Sequence, residues 1–211
     1  MNFLAHFHLA WPDAGLVAGG LEGDYYKGPL RGDLPVNIER GVKLHRAIDA
    51  YTDRHPVLEQ LRRKFPANLR RYAGILVDLS FDHYLSRHWS SFSDIPQAEF
   101  NQQVYTTLSA HEQDLSTGSR RMLQRLIDYD ILAVYADWDS VPASAERIGE
   151  RFRRENPFRG VGEQLSEQRD AMEQAFLAFY PDLQAFSAEQ ESLLNQTAST
   201  QSKIALRERT T

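Results

Sequence analysis

The stretch GVKLHRAIDAYTDRHP, residues 41–56, carries His45 and Asp49 four residues apart. On a helix that spacing sets an imidazole and a carboxylate on one face, one turn from each other. Such a pair can hold a metal ion or move a proton, and on an exposed helix it is an ordinary surface ion pair. A second pair, Asp78 and Asp82, repeats the spacing inside ILVDLSFDHYL. Carboxylates in so apolar a helix are costly to bury without compensation and repel each other one turn apart. A cation between them is the economical explanation. Two pairs of this kind facing each other across a bundle form a compact oxygen and nitrogen ligand cluster.

Other groups could join it. His6 and His8 in NFLAHFHLA lie about 200° apart on a helix, so only one can face a given site. His6 is as well explained as a structural core histidine as a ligand. Asp24 follows glycines in GGLEGDYYKG, where the backbone can approach closely. His83 is turned about 100° from the Asp78/Asp82 edge and could orient a ligand from behind.

The elements that would position these residues read as helices throughout. Apolar side chains recur at helical intervals over residues 2–10, 16–21, 36–55 and 73–89, and further helices are expected at 57–65, 97–111, 118–136, 141–153 and 161–190. Pro56 ends one helix, Pro66 opens a longer one, and Ser93 or Asp94 is a capping candidate for the helix after Pro96. KGPLRGDLP, residues 27–35, is a loop. The expectation is an all-α, single-domain bundle of six to eight helices over residues 1–190, with 191–211 a polar, frayed tail.

Composition narrows the function. The chain has 211 residues, 42% hydrophobic and 25% charged, and no apolar run near the roughly 18 residues of a membrane span. With no cysteine it has neither disulfides nor a thiolate site, so a metal would be held by His, Asp and Glu, a set suited to Mn, Mg, Fe or Zn. The net charge of −5 argues against a general nucleic-acid binder. The first fifteen residues lack the basic and purely apolar parts of a secretory signal, which points to the cytoplasm. No Gly-rich phosphate loop and no G-x-S-x-G elbow occurs.

Taken together, MNFLAHFHLA, GGLEGDYYKG, GVKLHRAIDAYTDRHP and LVDLSFDHYLSRHW resemble the motifs of the acyl carrier protein phosphodiesterase family, an atypical, HD-domain-like branch of the metallophosphohydrolases. The resemblance covers about the first 90 residues at motif level. It implies hydrolysis of the phosphodiester joining 4'-phosphopantetheine to a serine of holo-acyl carrier protein, with Mn²⁺ favoured. It implies a metal set drawn from His6, Asp24, His45, Asp49, Asp78 and Asp82, with His45, His83 and Arg46 as candidates for proton transfer and charge stabilisation. The chain departs from the family where relatives read Gly-Asn and it has Gly19-Gly20, and in the Asp82-His83 order, the reverse of the usual HD pair.

An acidic carrier would be received by a basic cluster, and Arg62, Arg63, Lys64, Arg70 and Arg71 are the candidates, with Arg151, Arg153, Arg154 and Arg159 a second group. Solvated helix faces explain such clusters equally. Two other functions fit the same residues: an HD-type phosphohydrolase of a nucleotide or small phosphoester, and a non-enzymatic carrier-protein binder.

Overall fold

Three segments create the framework of the site. Phe3–Ala10 (α1) is apolar on almost every side and is buried accordingly, with Leu4, Ala5 and Phe7 inaccessible to solvent. Ala14–Glu22 (α2) starts where the Asp13 side chain accepts a hydrogen bond from the Leu16 amide, 3.0 Å, an N-cap that satisfies one of the helix's free donors. Val36–Arg54 (α3) is amphipathic: Ile38, Val42, His45, Ile48 and Thr52 fall on its buried side, and Pro56 follows its end. Gly19 and Gly41 let α2 and α3 meet backbone to backbone. A Cβ on Gly41 would stand 2.7 Å from the Gly19 Cα, closer than any side chain allows.

The remaining helices of the computed structural model, which describes residues 1–153 and 155–208 and the side chains of these up to 197, close around that core. They are Pro56–Lys64 (α4), Ala67–Arg70 (α5), Ala73–Arg87 (α6), Gln97–Ala110 (α7), Thr117–Asp128 (α8), Ile131–Val134 (α9), Ser140–Gly149 (α10) and Gly162–Glu208 (α11). Short 3-10 turns at Trp89–Ser91 and Glu112–Asp114 flank α7. Among the described residues there is no strand, and no helix is long and apolar enough to cross a membrane.

The all-helical class stands as expected, while the described residues form eleven α-helices because several expected helices are broken. Pro66 opens only the single turn α5, and Tyr72 interrupts the chain before α6. The helix expected over 118–136 stops at Asp130, whose φ of 43° is left-handed and cannot continue a helix. Neither Ser93 nor Asp94 caps α7. Pro96 holds the cap position, and the Ser93 hydroxyl instead accepts from the Ile95 amide at 3.3 Å. The backbone of 191–208, read as a frayed tail, prolongs α11. That run is rich in Glu, Gln, Leu and Ala, all good helix formers. Residues 209–211 lie outside the described residues.

α6 is buried on nearly every side from Leu76 to Ser86, as its sequence suggested for a central helix. Phe81, Phe176, Phe179 and Tyr180 pack between α6 and α11, each ring contributing about 2 kcal/mol through its removal from water.

Candidate metal centre

α1 and α3 together present the cluster that the spacing of α3 suggested. His6 from α1 and His45 from α3 stack with ring centroids 4.0 Å apart and planes at 17°. Asp49 bridges them, with one oxygen 3.2 Å from His6 Nε2 and the other 3.2 Å from His45 Nε2. Both rings are buried and Asp49 is half-exposed, so the cluster opens to solvent on its carboxylate side. Asp24, just past the end of α2, brings an oxygen to 3.8 Å from His45 Nε2 and is also half-exposed. Gly23 makes that approach possible, because a Cβ there would collide with the His45 ring.

The donor set suits a divalent cation. His6, His45 and Asp49 each offer one ligand atom, all within 4.8 Å of one another. Burial, and then the neighbouring His45 ring, pull the pKa of His6 down to about 3, so its imidazole is neutral. Neither of its nitrogens makes a directed hydrogen bond, and His45 Nδ1 lacks one as well. A buried, neutral imidazole beside a carboxylate can give its lone pair to a cation that the carboxylate also holds. Burial would raise the Asp49 pKa, but the His45 and His6 rings hold its carboxyl well below the usual carboxylate range. Asp24 is shifted upward, by burial and by Asp49.

The α6 pair behaves differently. Asp82 is fully buried, and its two oxygens accept the backbone amides of Leu4, 2.8 Å, and Ala5, 3.3 Å. These are free donors of the first turn of α1, so Asp82 caps that helix from across the bundle. Asp82, expected as a ligand, has its oxygens on the main chain of α1, the helix that carries His6. Burial pushes its pKa up to about 7 against the pull of those amides. Asp78 is held at 3.1 Å by the amino group of Met1, which also lies 3.7 Å from Asp49. Burial works against that ammonium, yet Asp78 and Asp49 raise its pKa to about 10. The Met1 ammonium thus stands between Asp78 and Asp49.

Two candidates for proton and charge work point elsewhere. His83 Nδ1 meets the Tyr135 carbonyl at 2.9 Å, with Trp138 and Tyr84 against its ring, so the structure does not bring it to the cluster. Arg46 donates to the Tyr26 carbonyl at 2.8 Å and lies over the Tyr26 ring, fastening the segment that carries Asp24 to α3. Of the expected docking cluster, Arg62 binds the Asp53 carbonyl at 2.5 Å, Arg63 pairs with Glu59, Arg70 reaches the Phe65 carbonyl at 3.4 Å and Arg71 lies over Tyr72. Lys64 is exposed. Arg154 lies outside the described residues.

A family model described as acyl carrier protein phosphodiesterase matches residues 1–183. This chain belongs to that family. Curated relatives named acyl carrier protein phosphodiesterase, from Escherichia coli O139:H28 strain E24377A, O9:H4 strain HS and K12 strain DH10B, are 34% identical over 190 residues, 88% of this chain and 96% of theirs. No solved structure gives a significant match. Every member of the His6, Asp24, His45 and Asp49 group falls within the family match.

Sequence reasoning missed two groups near the centre. The Met1 amino group carries no motif. Tyr135 is buried at the end of α9, where Asp82 and Asp24 are near enough to add to the burial that holds its phenol neutral. Only its aromatic character in DILAVYADWD marked it, and nothing in that stretch has a helical face long enough to read.

Proposed function

We propose that this chain hydrolyses the phosphodiester between 4'-phosphopantetheine and a serine of holo-acyl carrier protein, releasing apo-carrier and 4'-phosphopantetheine, with a divalent metal, Mn²⁺ first, at the His6, His45 and Asp49 cluster. The observation that carries the reading is the stacked pair of buried imidazoles bridged by one carboxylate that stays open to solvent. A divalent ion held there supplies polarisation of a phosphoryl oxygen and a more acidic water for attack on phosphorus.

The protein's own groups do the positioning. Asp49 fixes both rings and stays ionised at neutral pH. Asp24 completes the set from the far side of His45, and the Gly23 backbone packed on that ring keeps it in one orientation. Asp82 holds α1, and with it His6, in register. Tyr135, kept neutral by burial, is suited to donate a hydrogen bond to a phosphoryl oxygen without losing its proton. The cytoplasm is the compartment we propose for this reaction.

The test is to mix the protein with holo-acyl carrier protein and Mn²⁺ and follow the carrier's mass. Loss of the prosthetic group, abolished by a chelator and restored by Mn²⁺, is expected. Turnover of nucleotides or small phosphoesters with an intact carrier would replace this reading with that of a general phosphohydrolase, and carrier binding without hydrolysis would replace it with that of a binder.

A further inference from the structure

A partner that delivers a phosphodiester to this cluster brings negative charge to a mouth already lined by Asp24, Asp49 and Asp78, each about half-exposed. On a chain of net charge −5 that mouth repels an anionic partner unless cations stand beside it. Such cations are present next to Asp24. Lys27 lies three residues beyond Asp24 in the same loop, and Arg125 and Arg151 are near enough to interact electrostatically with Tyr25, which follows Asp24. They come from three separate places: the loop after α2, the turn after α10, and the second half of α8.

Their position is built into the fold. The Ser116 amide, at the N-cap of α8, donates to buried Glu22 at the end of α2, 2.9 Å. One residue into the helix, Gly118 leaves room for the Tyr25 ring, whose Cδ1 would lie 2.5 Å from a Cβ at that position. Arg125 is about two turns further along the same face of α8. The start of α8 is thus fastened to the segment bearing Asp24, and Arg125 projects from the side that meets it.

Lys27, Arg125 and Arg151 are exposed, and none forms an ion pair among the described residues. Two arginines of α4 contrast with them: Arg62 and Arg63 are paired with Asp53 and Glu59. A charge already neutralised within its own molecule attracts a partner less than a free one does.

We infer that Lys27, Arg125 and Arg151 form the docking rim for an acidic protein surface, the carrier's, which seats its phosphodiester beside Asp24, and that the paired Arg62 and Arg63 of α4 do not dock it. This rests on the function proposed above for the partner's identity, and on the rim's own geometry for its place.

The test compares Arg125→Glu with Arg151→Glu, singly and combined, against Arg62→Glu with Arg63→Glu. The readout is kcat/KM for holo-carrier divided by kcat/KM for bis(p-nitrophenyl) phosphate, both with Mn²⁺. The combined rim reversal is expected to lower this ratio by about tenfold or more, through KM, and to flatten its salt dependence, while the α4 reversal moves it by less than about twofold. An unchanged ratio in the rim variant, or an equal fall in the α4 variant, overturns the inference. Arg125→Gln with Arg151→Gln, expected to give a smaller fall in the same direction, serves if the reversed variant does not fold. Should the wild type cleave the small diester and leave the carrier intact, the proposed function fails instead. Carrier affinity by titration calorimetry then decides the rim: weakened by the reversal it stands, unchanged it falls.

Discussion

His45 with Asp49 on α3 and Asp78 with Asp82 on α6 share one spacing and one chemical logic, yet the fold uses them in opposite ways. Asp49 stands half-exposed between two buried rings and is held ionised by them. Asp82 is sealed beneath α1, accepts two main-chain amides and has a raised pKa. The first carboxylate is arranged to act on something that arrives from solvent, the second to hold a helix. Spacing along a helix establishes which groups share a face. What occupies the space opposite that face decides what they do.

The sharpest way to break this comparison is to remove each carboxylate. Asp49→Ala is expected to lower carrier hydrolysis on the order of 10³-fold, about 4 kcal/mol of transition-state stabilisation, and to weaken Mn²⁺ binding in equilibrium dialysis, while urea unfolding of the metal-free protein shifts by no more than about 1 kcal/mol. Asp82→Ala should show the reverse emphasis. Leaving the buried Leu4 and Ala5 amides unpartnered destabilises the fold by about 2–3 kcal/mol in urea, with Asp82→Asn, which keeps an acceptor, costing less. Equal effects of the two alanine variants on both readouts would show the distinction to be wrong.

A finer test concerns orientation. Gly23→Ala sets a methyl group against the His45 ring and is expected to lower kcat about 10- to 100-fold with circular dichroism unchanged.

The smallest effect is a pH dependence shared by the two histidines of α1. Burial lowers His8 to about 4 and His6 to about 3, from 6.5. A histidine with a depressed folded pKa is neutral in the fold and takes up a proton more readily when unfolded, so its contribution is complete above about 6.5 and is lost as pH falls toward the folded value. Metal-free protein should lose about 1 kcal/mol per ring between pH 7 and 5.5 in urea titrations. His8→Gln should remove roughly half of that slope.

These two rings also mark how far the sequence could be read. Their 200° separation told that only one could face the cluster, and it is His6. His8 instead has Tyr180 Oη at 2.8 Å from one nitrogen and the Phe92 carbonyl at 3.1 Å from the other, both from segments far along the chain. The helical class, the register of His45 with Asp49 and the approach of Asp24 were legible because they depend on local periodicity and on glycine. The duty of Asp82 was not, since its partners are backbone amides 77 and 78 residues away that carry no side-chain signature. The breaks at Tyr72 and Asp130 escaped for a related reason: apolar periodicity runs through them, and only the backbone turns aside.

The main-chain contact between Gly19 and Gly41 reaches further than packing. Asp24 lies just beyond one of the two touching helices and His45 one turn beyond the contact on the other, so the gap between carboxylate and imidazole is set by peptide units rather than by rotamers. Such a gap is a rigid gauge. A side chain at Gly19 or Gly41 would widen it without altering Asp24 or His45 themselves.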